Sequence, residues 1–196
     1  MTSRREFLQV GLAAAALPLA VQSDEVAAEA ARSVPLYKIL YDTRFPASVA
    51  FARRASAGGL VVQAMGGDMT RFWYDDLYHR WQTGPAAIAG LTGYGALFCL
   101  ERLAWEQRMR VVFRGEHWLG PAGCVAHRFE GPAQLLPAAA RAATDASWAA
   151  ALADVIAECP RGRTVRQAAD ALTVNAGTLP ASETLFSWVI APVGRG

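Results

Sequence analysis

The fold is decided by residues 36–65, LYKILYDTRFPASVAFARRASAGGLVVQAM. Residues 36–41 mix β-branched, aromatic and aliphatic side chains and predict a strand. Residues 46–57 predict a helix, because Pro occupies its first turn and a Gly-Gly pair follows its end. Residues 60–65 predict a second strand. A strand, a helix and a strand in this order are typical of a parallel βαβ unit.

The same alternation continues to residue 117. We expect a helix over residues 69–82, a short third strand at 85–89, a helix over 96–108 and a fourth strand at 109–113. Residues 90–95 would form the turn after the third strand. The pattern predicts a mostly parallel open sheet of about four to five strands with helices on both faces, in Rossmann-like or flavodoxin-like βαβ units.

The last third of the chain is expected to be mainly helical. Residues 137–158 carry a stripe of apolar side chains at helical spacing, and Thr164 with Gln167 is typical of a capping box for a short helix to Leu172. A strand is predicted near the end, at residues 184–190, and residues 124–129, in the loop-rich stretch 120–131, are a candidate for a short strand.

Composition limits the possible classes of protein. The chain has 196 residues, of which 53% are hydrophobic, so it can bury a substantial core. Its formal net charge is only +2. No basic stripe with interleaved aromatic residues is present, and we therefore expect no nucleic-acid binding. Residues 31–196 are expected to form a single domain.

The N-terminus carries a motif of a different kind. Arg4 and Arg5 are followed by Phe7 and Leu8, and then by an apolar run over residues 10–21. That run is shorter than the ~20 residues a membrane span needs. The segment resembles a bacterial twin-arginine (Tat) signal peptide. The resemblance implies a signal peptide at residues 1–30, folding before export, contact with the Tat translocase, a periplasmic location and no stable membrane anchor after cleavage.

Polar and small residues follow each of the predicted strands. The carboxyl ends of parallel strands meet at one edge of a sheet, where ligands bind in open α/β folds. The candidate ligand-binding residues are Asp42 and Arg44 after the first strand, Asp68 after the second, Thr92 and Gly93 after the third, and His117 after the fourth. The structural alternative is that Gly and Asp serve only as turn and cap residues there.

No motif identifies a cofactor or a metal. The glycine spacing of residues 90–95 reverses the dinucleotide fingerprint, and no Walker pattern is present. Glu116, His117, Cys124 and His127 lie close in sequence without a zinc-site spacing, so no metal site is predicted. Cys99 falls in an apolar helix and is expected in the core.

Three hypotheses of function follow from these observations. The first is an exported periplasmic accessory or small polar-ligand-binding protein that uses the carboxyl edge of its sheet. The second is an enzyme acting on a small polar metabolite, with His117 as general base oriented by Asp42 or Asp68. The third is a partner subunit of a Tat-exported oxidoreductase, with exposed Trp side chains as interface anchors.

Overall fold

The computed structural model describes residues 34–120, 125–159, 161, 170–174 and 183–193. The twin-arginine motif lies outside these ranges. Val34–Gly196 forms one compact unit. No helix in the described ranges combines the length and the apolarity that a bilayer crossing requires.

The described part of the chain contains strands and helices in the following order. The strands are β1 (Leu36–Asp42), β2 (Val62–Met65), β3 (Ala87–Thr92), β4 (Met109–Leu119), β5 (Val125–Gly131), β6 (Asp170–Val174) and β7 (Glu183–Pro192). The helices are α1 (Pro46–Ala57), α2 (Thr70–Phe72), α3 (Tyr78–Gln82), α4 (Tyr94–Glu106), α5 (Leu136–Ala143) and α6 (Trp148–Ala157). A π-helical turn, Trp73–Leu77, joins α2 to α3.

The strands form one mixed sheet in the order β2-β1-β3-β7-β4-β5-β6. Strand β1 is parallel to β2 and to β3, whereas the pairs β3·β7, β7·β4, β4·β5 and β5·β6 are antiparallel. The prediction of a mostly parallel sheet of four to five strands is therefore wrong. The described sheet has seven strands, and most of its pairs are antiparallel.

Strand β7 is the physical reason for this difference. It lies between β3 and β4 and is antiparallel to both. As a result β4 runs in the same direction as β3 without being bonded to it. A helix between two strands shows that they can be parallel, but it does not show that they are neighbours. From Leu185 to the end of β7 at Pro192, every residue except Phe186 is buried, as expected for a central strand.

The prediction of a helical last third is also wrong. The apolar stripe over residues 137–158 forms two helices, α5 and α6, which are separated by a turn in which Asp145 accepts a hydrogen bond from the Ser147 N–H group (2.7 Å). Beyond them, Asp170–Val174 is a strand where the short helix was expected to end. Its pairing with β5, a long-range contact, overrides the local helical signal. The predicted cap at Thr164 lies outside the described residues.

Helices cover both faces of the sheet and enclose two cores. On one face, α1, α5 and α6 pack against sheet residues such as Ile39, Phe113 and Phe129. On the other face, α2, α3 and α4 pack against Leu40, Ile88 and neighbouring side chains. The sheet is therefore the middle layer of three, and a side chain's face decides which core it enters.

Strand β3 begins and ends later than predicted. It spans Ala87–Thr92, and all six of its residues are buried. Gly90 is thus part of a central strand rather than of a turn. A Cβ atom at Gly90 would lie 2.7 Å from the Leu40 carbonyl oxygen and 2.7 Å from Cζ2 of Trp188. The glycine is needed for close packing, which explains its position without a dinucleotide site.

Candidate functional site

The centre of the candidate site is an ion pair at the end of β1. The Asp42 side chain is 1% exposed, and its carboxylate accepts hydrogen bonds from Nε (2.9 Å) and Nη2 (2.7 Å) of Arg44. The backbone N–H group of Arg44 also donates to Asp42 (3.1 Å). This bidentate contact holds the guanidinium in a fixed orientation and raises the pKa of Arg44. The Arg44 side chain nevertheless remains 57% exposed.

Two glycines from neighbouring segments lie beside Arg44, and the first of them makes room for it. Gly67, which follows β2, has a φ of 88°, and a Cβ atom there would lie 2.5 Å from Cζ of Arg44. Gly93 follows β3, and a Cβ atom there would lie 3.8 Å from Nη2 of Arg44. Gly93 is also the N-cap of α4, and no side chain caps it, so the N–H groups of the first turn have no acceptor within the helix at this end.

Ser48 connects the elements that carry this site. Its hydroxyl group donates to the carbonyl oxygen of Leu91 on β3 and accepts from the N–H group of Asp42 on β1 (2.8 Å). Ser48 itself belongs to α1 and is buried. The three elements are thereby held together directly beneath the ion pair. Sequence reasoning missed Ser48, although a serine in the first turn of a helix that follows a strand end was a usable signal.

Thr92 and Asp68 have local structural contacts instead. The buried Thr92 hydroxyl group donates to the Gly93 carbonyl oxygen (3.1 Å) and accepts from Nε1 of Trp188 (3.0 Å). Asp68 is exposed and accepts a hydrogen bond from the N–H group of Thr70 (2.8 Å) at the start of α2. Hydrogen bonding with Thr70 lowers the pKa of Asp68. The structure thus joins Asp42, Arg44 and Gly93, with the Thr92 side chain turned into the core.

His117 belongs to a second polar cluster. It is buried on β4, and its Nδ1 lies 2.8 Å from Nδ1 of His127 on β5. Its Nε2 lies 2.9 Å from the hydroxyl oxygen of Ser187 on β7. The ring of Trp148 covers the pair, with centroids 4.7 Å from that of His117 and 5.0 Å from that of His127. Among the described residues, neither Asp42 nor Asp68 makes a hydrogen bond to His117.

A face change along β4 explains this separation. Thr92 pairs with Phe186 on β7, and Phe186 pairs with Glu116 on β4, so these three residues share one face of the sheet. His117 follows Glu116 and therefore points to the opposite face, where it meets α6. Strand β4 runs in the direction that the predicted crevice required. The side chain of His117, however, enters the core on the side of α1, α5 and α6.

The hydrogen bonds of the cluster favour one pair of tautomers. Within the described part of the chain, the buried Nε2 atom of His127 has no hydrogen-bond partner. Because buried N–H groups are rarely left unpaired, the His127 proton belongs on Nδ1, where it is donated to Nδ1 of His117. Nε2 of His117 then carries a proton and donates to Ser187. In this arrangement His117 does not accept a proton from Ser187.

Burial keeps both rings neutral. It lowers the pKa of His127 to about 4, and burial together with the nearby His127 lowers the pKa of His117 well below its usual value. Gly115 makes the cluster possible, since a Cβ atom there would lie 2.3 Å from the Ser187 hydroxyl oxygen and 3.0 Å from the His117 ring.

The sequence contained a signal for part of this cluster. His117 lies three positions before the run Gly120-Pro121-Ala122-Gly123 and His127 four positions after it, and such a run is typical of a turn between antiparallel strands. In the structure these histidines face each other across β4 and β5. Ser187 carried no such signal, because its contact depends on where β7 inserts in the sheet.

No group of three or more His, Cys, Asp or Glu side chains in the described ranges is arranged to hold a metal ion. Cys124 lies outside those ranges. The fold and the site define a three-layer α/β protein with a mixed sheet and a fixed arginine at the carboxyl edge of its parallel strands. Comparison of the chain with protein families, with characterised proteins and with solved structures gave no match.

Proposed function

We propose that the chain is an exported periplasmic accessory or ligand-binding protein that holds a small polar ligand at the carboxyl edge of β1 and β3. The observation that carries this proposal is the exposed guanidinium of Arg44, fixed by the buried carboxylate of Asp42. A pre-oriented donor at this edge is what a binding site in an open α/β sheet requires. Gly67 and Gly93 add no side chains beside it, and the Phe45 ring lies 5.4 Å from it.

The chemistry of the site favours a ligand with an acceptor oxygen. Asp42 balances the charge of Arg44, and the negative charge of Glu183 also acts on it, so the site offers hydrogen-bond donors rather than a strong positive charge. These donors are the outer N–H groups of the guanidinium and those of the first turn of α4. A carbonyl or carboxylate oxygen can accept hydrogen bonds from both sets of N–H groups. We therefore propose a small carbonyl-bearing or carboxylate-bearing molecule as the ligand class.

Replacement of Arg44 tests this assignment. In the unsubstituted chain, titration with malonate or malonamide should give saturable shifts of the backbone amide resonances of Gly67 and Gly93, whereas in an Arg44→Gln variant the same shifts should need a much higher ligand concentration. We expect the apparent affinity to fall by about tenfold or more, since a charge-assisted hydrogen bond contributes about 1.5–3 kcal/mol. The measurement is a two-dimensional NMR titration.

Arg54→Gln is the matched control. Arg54 is 54% exposed and pairs with the exposed Asp154, so its loss removes an arginine–carboxylate pair in the last turn of α1, at the end of the helix away from Arg44. Arg44→Lys, which keeps the charge but not the fork of donors, should fall between the two. Equal amide shifts in the Arg44→Gln and Arg54→Gln variants would show that malonate and malonamide do not bind at Arg44.

Export is tested separately. The double change Arg4→Lys and Arg5→Lys should leave the precursor in the cytoplasm, because the resemblance to a twin-arginine signal places recognition on this pair. Cell fractionation with an antibody to the chain measures the outcome. Substitution of Arg53 and Arg54 by Lys is the control, since it alters another arginine pair without touching the motif. Periplasmic accumulation of the Arg4/Arg5 variant at the normal level would contradict the proposal.

The other two hypotheses gain less support. As general base, His117 would have to reach a substrate, yet its side chain is buried and it donates to Ser187 in the favoured tautomer. A partner subunit would need exposed Trp side chains as anchors. The chain has six Trp residues, and of these only Trp105 is exposed in the described structure. The ligand-binding hypothesis therefore remains the proposal.

A further inference from the structure

The large exposed apolar residues are concentrated on one side of the sheet. Among the described residues, the helical layer formed by α2, the π-helical turn, α3 and α4, here called the aromatic layer, carries five of the six. They are Tyr74 (64% exposed), Tyr78 (43%), Tyr94 (58%), Phe98 (42%) and Trp105 (44%). The sixth is Val61, next to β2. Helices α1, α5 and α6 on the opposite side expose none. An exposed apolar surface on one side of a protein is typical of a binding site for a protein partner or a membrane.

On α4 these residues form a continuous ribbon. Tyr94, Phe98, Arg102 and Trp105 are spaced at helical intervals and share one face. The rings of Tyr94 and Phe98 lie 5.9 Å apart. The guanidinium of Arg102 lies 5.3 Å from the Phe98 ring and 4.3 Å from the Trp105 ring. The helix has 13 residues, so the ribbon is about 20 Å long.

The charge along the ribbon is positive. Arg102, Arg108 and Arg110 are exposed and form no ion pair among the described residues, against one exposed acid in the same condition, Glu106. At the other end of the layer, Arg71 is balanced by the exposed acids Asp68 and Asp75, while Asp76 pairs with Lys38 and Glu101 pairs with Arg114. Arg110 also lies 5.7 Å from the Trp105 ring, at the end of the ribbon.

We propose that the aromatic layer docks reversibly on an anionic lipid surface. Trp and Tyr have an apolar body with a polar tip and prefer the boundary between headgroups and acyl chains. Arginines beside them attract lipid phosphates. A convex helix with both features along its length can lie flat in that boundary. Arg102 lies between the Phe98 and Trp105 rings on the exposed face of α4, so rings and a cation meet the same plane.

Cys99 provides a direct test. It was expected in the core, but it is exposed on α4, beside the ribbon. An environment-sensitive fluorophore attached to Cys99 of the full chain, with the site confirmed by mass spectrometry, should brighten and shift to the blue on vesicles of phosphatidylglycerol and phosphatidylcholine in equal parts. The response should be weak on phosphatidylcholine alone and should fall with added salt. Because the label reports on α4 itself, lipid contact by the N-terminal segment does not produce the signal.

Two controls make the result decisive. A label on Ser56 in a Cys99→Ser/Ser56→Cys variant sits on α1, on the opposite side of the sheet, and should not respond. The double change Phe98→Ser and Trp105→Ser should weaken the Cys99 response by about tenfold or more in lipid concentration, whereas Val61→Ser should leave it unchanged. An unresponsive Cys99 label, or an equal response from the label on Ser56, would overturn the proposal and leave an acidic protein surface as the partner of this layer.

Discussion

A Gly90→Ala substitution is expected to lower the free energy of unfolding by about 3 kcal/mol or more, or to prevent folding. The new methyl group would lie 2.7 Å from the Leu40 carbonyl oxygen on one side and 2.7 Å from the Trp188 ring on the other. Neither can move easily, because the first is backbone of the paired strand β1 and the second is a fully buried side chain. The midpoint of urea unfolding measures the loss.

Gly95→Ala is the matched control for this experiment. Gly95 lies in the first turn of α4, it is exposed, and a Cβ atom there has no heavy atom within 4 Å. Since Ala favours helix by up to about 1 kcal/mol over Gly, this variant should be as stable as the unsubstituted chain or slightly more so. If the Gly90→Ala and Gly95→Ala variants unfolded at the same urea concentration, the result would contradict the close packing of Trp188 against Gly90.

The second large effect is expected on acidification. Folded His127 has a pKa of about 4, against 6.5 in an unstructured chain, so the unfolded state binds more protons at mildly acidic pH. Stability is therefore kept at neutral pH and is lost as the pH falls from about 6.5 toward 4. His127 alone should remove about 2 kcal/mol between pH 7 and pH 4.5, and His117 should add to this loss. Urea unfolding at the two pH values measures the difference.

His127→Asn isolates the contribution of the buried pair. Asparagine can still place a donor near Nδ1 of His117, but it does not titrate in this range. The variant should be less stable at pH 7 and should lose less of its remaining stability on acidification. The control is His79→Gln, which removes an exposed histidine and should keep the full acid sensitivity. An unchanged slope for His127→Asn would contradict the buried, neutral state of this ring.

Local sequence signals were reliable where neighbouring residues determine structure. The βαβ unit of residues 36–65 appears as β1, α1 and β2, with Pro46 in the first helical turn as expected. The apolar stripe of residues 137–158 likewise forms helix. These elements depend on turn chemistry, proline geometry and the spacing of apolar side chains within about a dozen residues, which the sequence displays directly.

The candidate site was predictable to the extent that it depends on neighbouring parallel strands. Asp42 and Gly93 meet around Arg44 because β1 and β3 are paired and parallel, so their carboxyl ends share an edge. The prediction for His117 relied on the same rule, but β7 separates β3 from β4. One position along β4 then decides which face a side chain takes, and His117 enters the core beneath Trp148.

By itself, the sequence determined the first strand–helix–strand unit, the capacity for a large core, and the residues that could stand at the edge of the sheet. The tertiary structure decided the rest. The position of β7 between β3 and β4 makes most of the sheet antiparallel, brings Ser187 to His117, and places Trp188 over Gly90. These contacts join residues about 70 or more positions apart. Their free energy comes from burial on both faces of a central strand, a quantity that no local pattern contains.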